Sequence, residues 1–239
     1  MKIAAVCCTY LRPEQLGRMI RCFELQDYPA ELRQLAILDD AGQYDGRCGD
    51  RWRLVSTGRR YNTLGEKRNA AAELVDDDVE ALAVWDDDDL YLPWALRASA
   101  AALQIAPWSR PSVVLHPGRK GSLSQHATGG LFHGGWAYTR AVFRQAGGYP
   151  AVNNGEDQAL AGRLKEAGAP EADPIGLGFK PFYIYPWSTG QWHLSAMGRR
   201  GYQRLGVMRG KKTVPLVADP PNIDLRHPKI LPGVRPRVF

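Results

Sequence analysis

Residues Ala81-Leu82-Ala83-Val84-Trp85-Asp86-Asp87-Asp88-Asp89 run from five apolar side chains straight into four acids. The apolar half has the length of a buried strand, and the acids mark where that strand stops. Four adjacent carboxylates repel one another, which raises some of their pKa values and costs stability unless a cation sits among them. A hard divalent ion with oxygen ligands and phosphate partners answers that need. Asp76-Asp77-Asp78 instead precedes the strand and reads as a solvated acidic turn.

Upstream, residues 2–8 read as a buried strand. Pro13 opens a helical pattern with Leu16, Met19, Ile20 and Phe23 on one face, since proline is well tolerated in a first turn. Residues 32–38 form a second strand ending in Asp39-Asp40, and residues 52–56 a third. Residues 65–75 and 93–105 read as helices. This alternation predicts an α/β fold with a mostly parallel sheet flanked by helices. Ligands in such sheets bind outside the carboxyl ends of the strands. Thr9-Tyr10-Leu11-Arg12, Asp39-Asp40 and the four aspartates all fall there. The second half is less regular: strands are expected at 112–116 and 131–138 and a helix at 155–167. From Asp173 onward Gly, Pro and aromatic residues predict covering loops and an extended tail.

The chain has 239 residues, 44% of them hydrophobic and 23% charged, enough for one large domain with a substantial core. Its 25 Gly and 17 Pro fall far short of a disordered or collagen-like composition. No run of 18 apolar residues exists, which excludes a transmembrane helix, and the opening apolar stretch is too short for a signal peptide. The expected location is the cytoplasm. Cys7, Cys8, Cys22 and Cys48 show neither CxxC nor zinc spacing and read as reduced packing residues, with Cys7 and Cys8 on opposite faces of their strand.

Five segments together resemble the GT-A nucleotide-sugar glycosyltransferases, in particular family 2. Thr9-Tyr10-Leu11-Arg12-Pro13 with Gln26-Asp27-Tyr28-Pro29 is similar to that family's opening strand–helix unit. Ile37-Leu38-Asp39-Asp40 is similar to its nucleobase strand, and Gly65-Glu66-Lys67-Arg68-Asn69-Ala70-Ala71 to its Arg-Asn-Ala helix. Val84-Trp85 followed by the four aspartates and Leu90-Tyr91-Leu92-Pro93 resembles its DxD strand end. Gly147-Gly148-Tyr149-Pro150 and Glu156-Asp157-Gln158-Ala159-Leu160 resemble its acceptor-side segment. The match covers residues 1–170.

The resemblance implies a metal-dependent transfer of sugar from a nucleotide sugar, a UDP-sugar first, using Mn²⁺ or Mg²⁺. Thr9, Tyr10, Arg12 and Asp40 would hold base and ribose, with Arg68 near the base or diphosphate. Asp86 and Asp88 would be the outer pair of the DxD. Asp88 is the first choice of metal ligand and Asp86 serves ribose or metal; Asp87 and Asp89 stay candidates because four aspartates blur the register. Asp157 would be the general base with Glu156 beside it, and a single displacement would invert the anomeric centre. His193 would complete the metal shell. His133 and Trp136, with Trp187 and Trp192, are candidates for lining the sugar or acceptor pocket.

Charge is unevenly placed. Residues 197–239 carry ten Lys and Arg against two acids, a net of +8, whereas residues 1–196 net −2. The expected organisation is a GT-A domain over 1–196 and a loop-rich basic tail over 197–239 packing on or near the active site. Arg199, Arg200, Lys211 and Lys212 in that tail could clamp a diphosphate or attract a polyanion. The acceptor is open between a soluble glycan, a lipid-linked one and nucleic acid. A hydroxylated base in DNA is carried as an alternative because basic segments supply sequence-independent DNA affinity. A non-catalytic polyanion-binding module is the other alternative. Nucleotidyl transfer is disfavoured because Thr9-Tyr10-Leu11-Arg12-Pro13 contains no glycine for a phosphate loop.

Overall fold

The computed structural model describes residues 1–45, 47–49, 51–186 and 223–235. In chain order the elements are β1 (Ile3–Thr9), α1 (Pro13–Glu24), β2 (Arg33–Asp39), β3 (Arg47–Gly49), β4 (Trp52–Ser56), α2 (Leu64–Ala72), β5 (Ala81–Val84), β6 (Leu90–Tyr91) and α3 (Ala95–Leu103). There follow β7 (Trp108–Ser109), β8 (Val113–Pro117), β9 (Ser122–Ala127), β10 (Ala137–Thr139), α4 (Arg140–Gln145), α5 (Glu156–Glu166), β11 (Glu171–Ala172), β12 (Tyr183–Ile184) and β13 (Lys229–Arg235).

Eight strands form the main sheet in the order β11-β7-β10-β5-β1-β2-β4-β3. Its centre, β5-β1-β2-β4, is parallel. The chain passes from β1 to β2 on one side and later returns to place β5 on the other, so the topological switch lies between β1 and β5. Side chains alternate across β1. Ile3, Ala5 and Cys7 join a core with Leu16, Met19, Ile20 and Phe23 of α1 and with α3, while Ala4 and Val6 meet Ala72, Val142, Phe143 and Leu160 from α2, α4 and α5. Burying both faces is what a parallel sheet requires. Cys7 and Cys22 are buried free thiols, and Cys8 is free and half-buried.

A second, five-stranded sheet runs β13-β9-β8-β12-β6. It is joined to the first through the aspartate run, which links β5 of one sheet to β6 of the other. Trp85 stacks on Tyr91 at 4.1 Å with an 8° interplanar angle, which fixes that junction.

The expected strand over 131–138 shrinks to Ala137–Thr139. Gly129, Gly130 and Gly135 take positive φ, and the backbone turns where a strand would have to extend. The expected domain boundary at 196/197 lies outside the described residues. Within residues 223–235, β13 pairs in parallel with β9, and Leu225 is buried in the main core. Among the described residues no helix is long and apolar enough to cross a membrane.

Candidate active site

The strand registers bring the candidate residues together. Thr9 pairs with Asp39 across β1 and β2, and Asp39 with Ser56 across β2 and β4, so three strand ends finish level. β5 runs beside β1 as far as Val84, and Trp85 N–H donates to the Val6 carbonyl at 3.0 Å. The aspartates therefore emerge beside Thr9, at the switch point.

Each aspartate has its own partners. Asp87 accepts from the Thr9 hydroxyl at 2.7 Å and from Arg12 Nη1 at 2.9 Å, one bond to each oxygen. Asp88 accepts from the same Arg12 nitrogen at 2.6 Å. Asp86 accepts from Arg68 Nη1 at 2.9 Å, and its backbone N–H donates to the Tyr91 hydroxyl oxygen at 2.9 Å. Asp89 accepts from the Tyr183 hydroxyl at 2.8 Å. Arg12 is itself buried, at 6% exposure, and is aimed inward by a turn in which Leu11 takes φ +55°. Thr9 and Arg12, expected to hold base and ribose, hold the aspartate run.

A second charged group lies beside it. Asp40 is 2% exposed and pairs with Lys67 Nζ, which also donates to the Thr9 carbonyl at 2.6 Å. Arg60 Nη1 donates to Asp40 at 3.1 Å while its guanidinium covers the Tyr10 ring, 3.7 Å from the centroid. Asp39, completely buried, accepts from Ala41 N–H, Gln43 N–H and the Ser56 hydroxyl, and so shapes the turn that presents Asp40.

The acidic pair at the start of α5 splits. Glu156 is buried and accepts from Arg68 Nε at 3.2 Å, so Arg68 spans Asp86 and Glu156. Asp157 is half-buried and bonds to Gln158 of its own helix. His133 is buried, and burial and then nearby Arg68 push its pKa well below the ordinary imidazole value; its Nε2 lies 3.1 Å from the Tyr149 hydroxyl. Trp136 is 1% exposed and packs edge-on to Trp108, so it is core rather than an open stacking face. His193, Trp187, Trp192, Arg199, Arg200, Lys211 and Lys212 lie outside the described residues.

Sequence reasoning missed Lys67, Arg60 and Tyr183. A lysine in the first turn of a helix resembles a solvated charge, and nothing in the local pattern marks its burial. Tyr183 meets Asp89 across 94 residues, a pairing that only the second sheet creates.

The donor chemistry of this cluster fits a hard divalent cation. Burial pushes the Asp88 carboxyl up to about 7 against the pull of Arg12, with Asp87 and Asp86 adding to the rise. Asp89 is raised well above the usual carboxylate range by burial and by its acidic neighbours, and its Oδ1 is buried without a hydrogen-bond partner among the described residues. Such carboxylates are short of positive charge, and a cation with oxygen ligands would supply it. In this arrangement they turn onto Arg12, Arg68 and Tyr183, and no three acidic, histidine or cysteine groups converge on one point among the described residues.

Solved structures share this architecture. S. aureus TarS 1–349 superposes with a TM-score of 0.54 at 16% identity, over 78% of this chain and 60% of that one. TarS 1–349 in complex with UDP-GlcNAc gives 0.55 at 14% identity, over 87% and 66%. The mannosyltransferase PcManGT from Pyrobaculum calidifontis, in complex with GDP-Man and Mn²⁺, gives 0.56 at 16% identity, over 87% and 60%. The chain has a GT-A-type fold. The GT-A likeness leaves about two fifths of TarS 1–349 and of PcManGT without a counterpart here. No protein-family model and no curated protein matches the sequence.

Proposed function

We propose that the chain is a nucleotide-sugar glycosyltransferase acting at the switch point between β1 and β5. The observation that carries this reading is the emergence of four aspartates at the end of β5 against Thr9, Arg12 and Arg68, with Tyr10 and Asp40 at the neighbouring strand ends. Tyr10 offers a ring for stacking a base and Asp40 an acceptor for a uracil-type N–H. Asp86 and Asp88 would hold Mn²⁺ or Mg²⁺, which when bound neutralises a departing diphosphate. Thr9 and Arg12 position that pair by fixing Asp87 between them.

Transfer also needs a base for the acceptor hydroxyl. Glu156 is committed to Arg68, which leaves Asp157 as the carboxylate of the pair with no cation bound to it among the described residues. Asp157 takes the acceptor proton as the acceptor oxygen bonds to the anomeric carbon. The bond from that carbon to the diphosphate oxygen breaks, the nucleoside diphosphate carries off the electron pair, and the centre inverts. The basic residues 197–239 favour an anionic acceptor or a DNA acceptor, and the location proposed is the cytoplasm.

A panel of nucleotide sugars, each with and without Mn²⁺, tests the reading by thermal shift and by release of nucleoside diphosphate. One UDP-sugar is expected to stabilise the protein only with metal, and Asp86→Asn or Asp88→Asn to abolish the shift. If no nucleotide sugar stabilises or is turned over, the transferase reading fails at its first step.

A further inference from the structure

Two features of the base site proposed at Tyr10 and Asp40 are in tension. Asp40 is the natural acceptor for a base N–H, yet it is only 2% exposed. Tyr10 is the natural stacking face, yet a guanidinium already covers it, 3.7 Å from the ring centroid. Both positions are taken by the same side chain, Arg60, whose Nη1 donates to Asp40 Oδ1 at 3.1 Å.

Lys67 is the other cation on Asp40, but it is built in. Its ammonium is buried and also bonded to the Thr9 carbonyl, so it stays when a ligand arrives. Arg60 is 43% exposed, on the segment between β4 and α2, and can swing outward without disturbing the core. Tyr61 N–H donates to the other oxygen of Asp40 at 3.3 Å, which keeps the carboxylate oriented when Arg60 leaves. A carboxylate offers about four lone-pair sites, so Asp40 can hold Lys67, Tyr61 and a base N–H together.

We propose that Arg60 is a latch on the nucleobase site: with no ligand it occupies the Tyr10 face and an Asp40 oxygen, and a base binds by displacing it. This rests on the reading of Tyr10 and Asp40 as the base pocket. The latch lowers apparent affinity by the fraction of time it is closed, and it acts on the association step. A base without an N–H facing Asp40 gains less on displacing Arg60 than uracil does, so the latch also sharpens the choice of base.

The test measures binding of uridine, UMP, UDP and GDP to the full chain and to its Arg60→Ala and Arg60→Lys variants, by calorimetry and stopped flow. Arg60→Ala is expected to bind uridine, UMP and UDP roughly two- to tenfold tighter, the worth of an exposed cation–π contact and its hydrogen bond. The gain is expected in the association rate, with dissociation unchanged, and to be the same for uridine as for UDP because the latch sits at the base. Arg60→Lys keeps the charge without the planar stack and is expected to fall between. Weaker binding by Arg60→Ala would make Arg60 a ligand contact and overturn the latch, as would unchanged binding; either leaves the base pocket standing. If no nucleotide binds wild type or variants, the base-pocket reading falls and the latch with it.

Discussion

Asn69 and Tyr149 exchange two hydrogen bonds of 2.8 Å: the Asn69 amide nitrogen donates to the Tyr149 carbonyl, and the Tyr149 N–H donates to the Asn69 oxygen. A side-chain amide thus stands in for a strand partner. It ties α2, which carries Lys67 and Arg68, to the segment that leads into Glu156. Gly148 takes φ +65°, and a Cβ there would meet the Asn69 oxygen at 2.5 Å. The Arg-Asn-Ala and Gly-Gly-Tyr-Pro segments are two halves of one clasp.

Asn69→Ala leaves both Tyr149 backbone groups without these partners and should cost about 1–3 kcal/mol. Asn69→Asp keeps the acceptor but turns a carboxylate oxygen onto the Tyr149 carbonyl, so it should cost at least as much. Urea denaturation measures both, and a change below about 0.5 kcal/mol for the alanine variant would mean that water replaces the clasp without loss.

Gly65 opens the same contact from the other side. A Cβ at this position would lie 1.8 Å from the Pro150 carbonyl oxygen, and Gly65 N–H donates to the Val152 carbonyl at 3.1 Å. Gly65→Ala must push backbone away from backbone and is expected to cost roughly 1–3 kcal/mol or more. A melting temperature equal to wild type would show that the two segments separate freely.

The pH dependence follows from Asp88. Its carboxyl is raised to about 7 in the folded chain, against about 3.9 when unfolded. Between those values the folded chain binds more protons, so without metal this group's stabilisation is present below about pH 4 and lost as pH rises to about 7. Asp89 shifts in the same direction. Added Mn²⁺ replaces the missing protons, so its thermal shift should be larger at pH 8 than at pH 5. Equal shifts at both pH values would mean the metal binds elsewhere.

Glu156 and Asp157 should separate in mutagenesis. Asp157→Asn is expected to lower transfer kcat by about 10²- to 10⁴-fold while leaving stability and donor binding unchanged. Glu156→Gln weakens the pairing with Arg68 and should lose about 1–3 kcal/mol of stability. The reverse pattern in steady-state kinetics and melting would move the base to Glu156.

Strands and helices with a long, regular pattern were legible in sequence. β1 alternates its faces, α1 concentrates Leu16, Met19, Ile20 and Phe23 on one side, and β4 and α5 stand within a residue of where they are read. β6, β7, β11 and β12 are two residues each and exist only through pairing, which no local pattern announces. α4 had a usable signal, since Thr139 caps it by accepting from Val142 N–H. Within the site, the convergence of Thr9, Asp40 and the aspartates followed from strand order. The direction each side chain takes did not. Arg12 turns inward because Leu11 adopts a left-handed backbone, and Glu156 rather than Asp157 meets Arg68 because the first turn of α5 faces that way.

The pairing of β13 with β9 bears on self-association. Among the described residues β13 is the outer strand of the second sheet, the position where exposed backbone groups invite another chain to add. Pro232 lies in it, where no N–H is available to extend a ladder, and the register with β9 slips between Ile230 and Val234. The strand is spoiled as a template while still sealing β9 beneath it. One proline and one break of register thus work against edge-to-edge pairing at this rim, and Pro232→Val is expected to raise self-association, read by light scattering at high concentration.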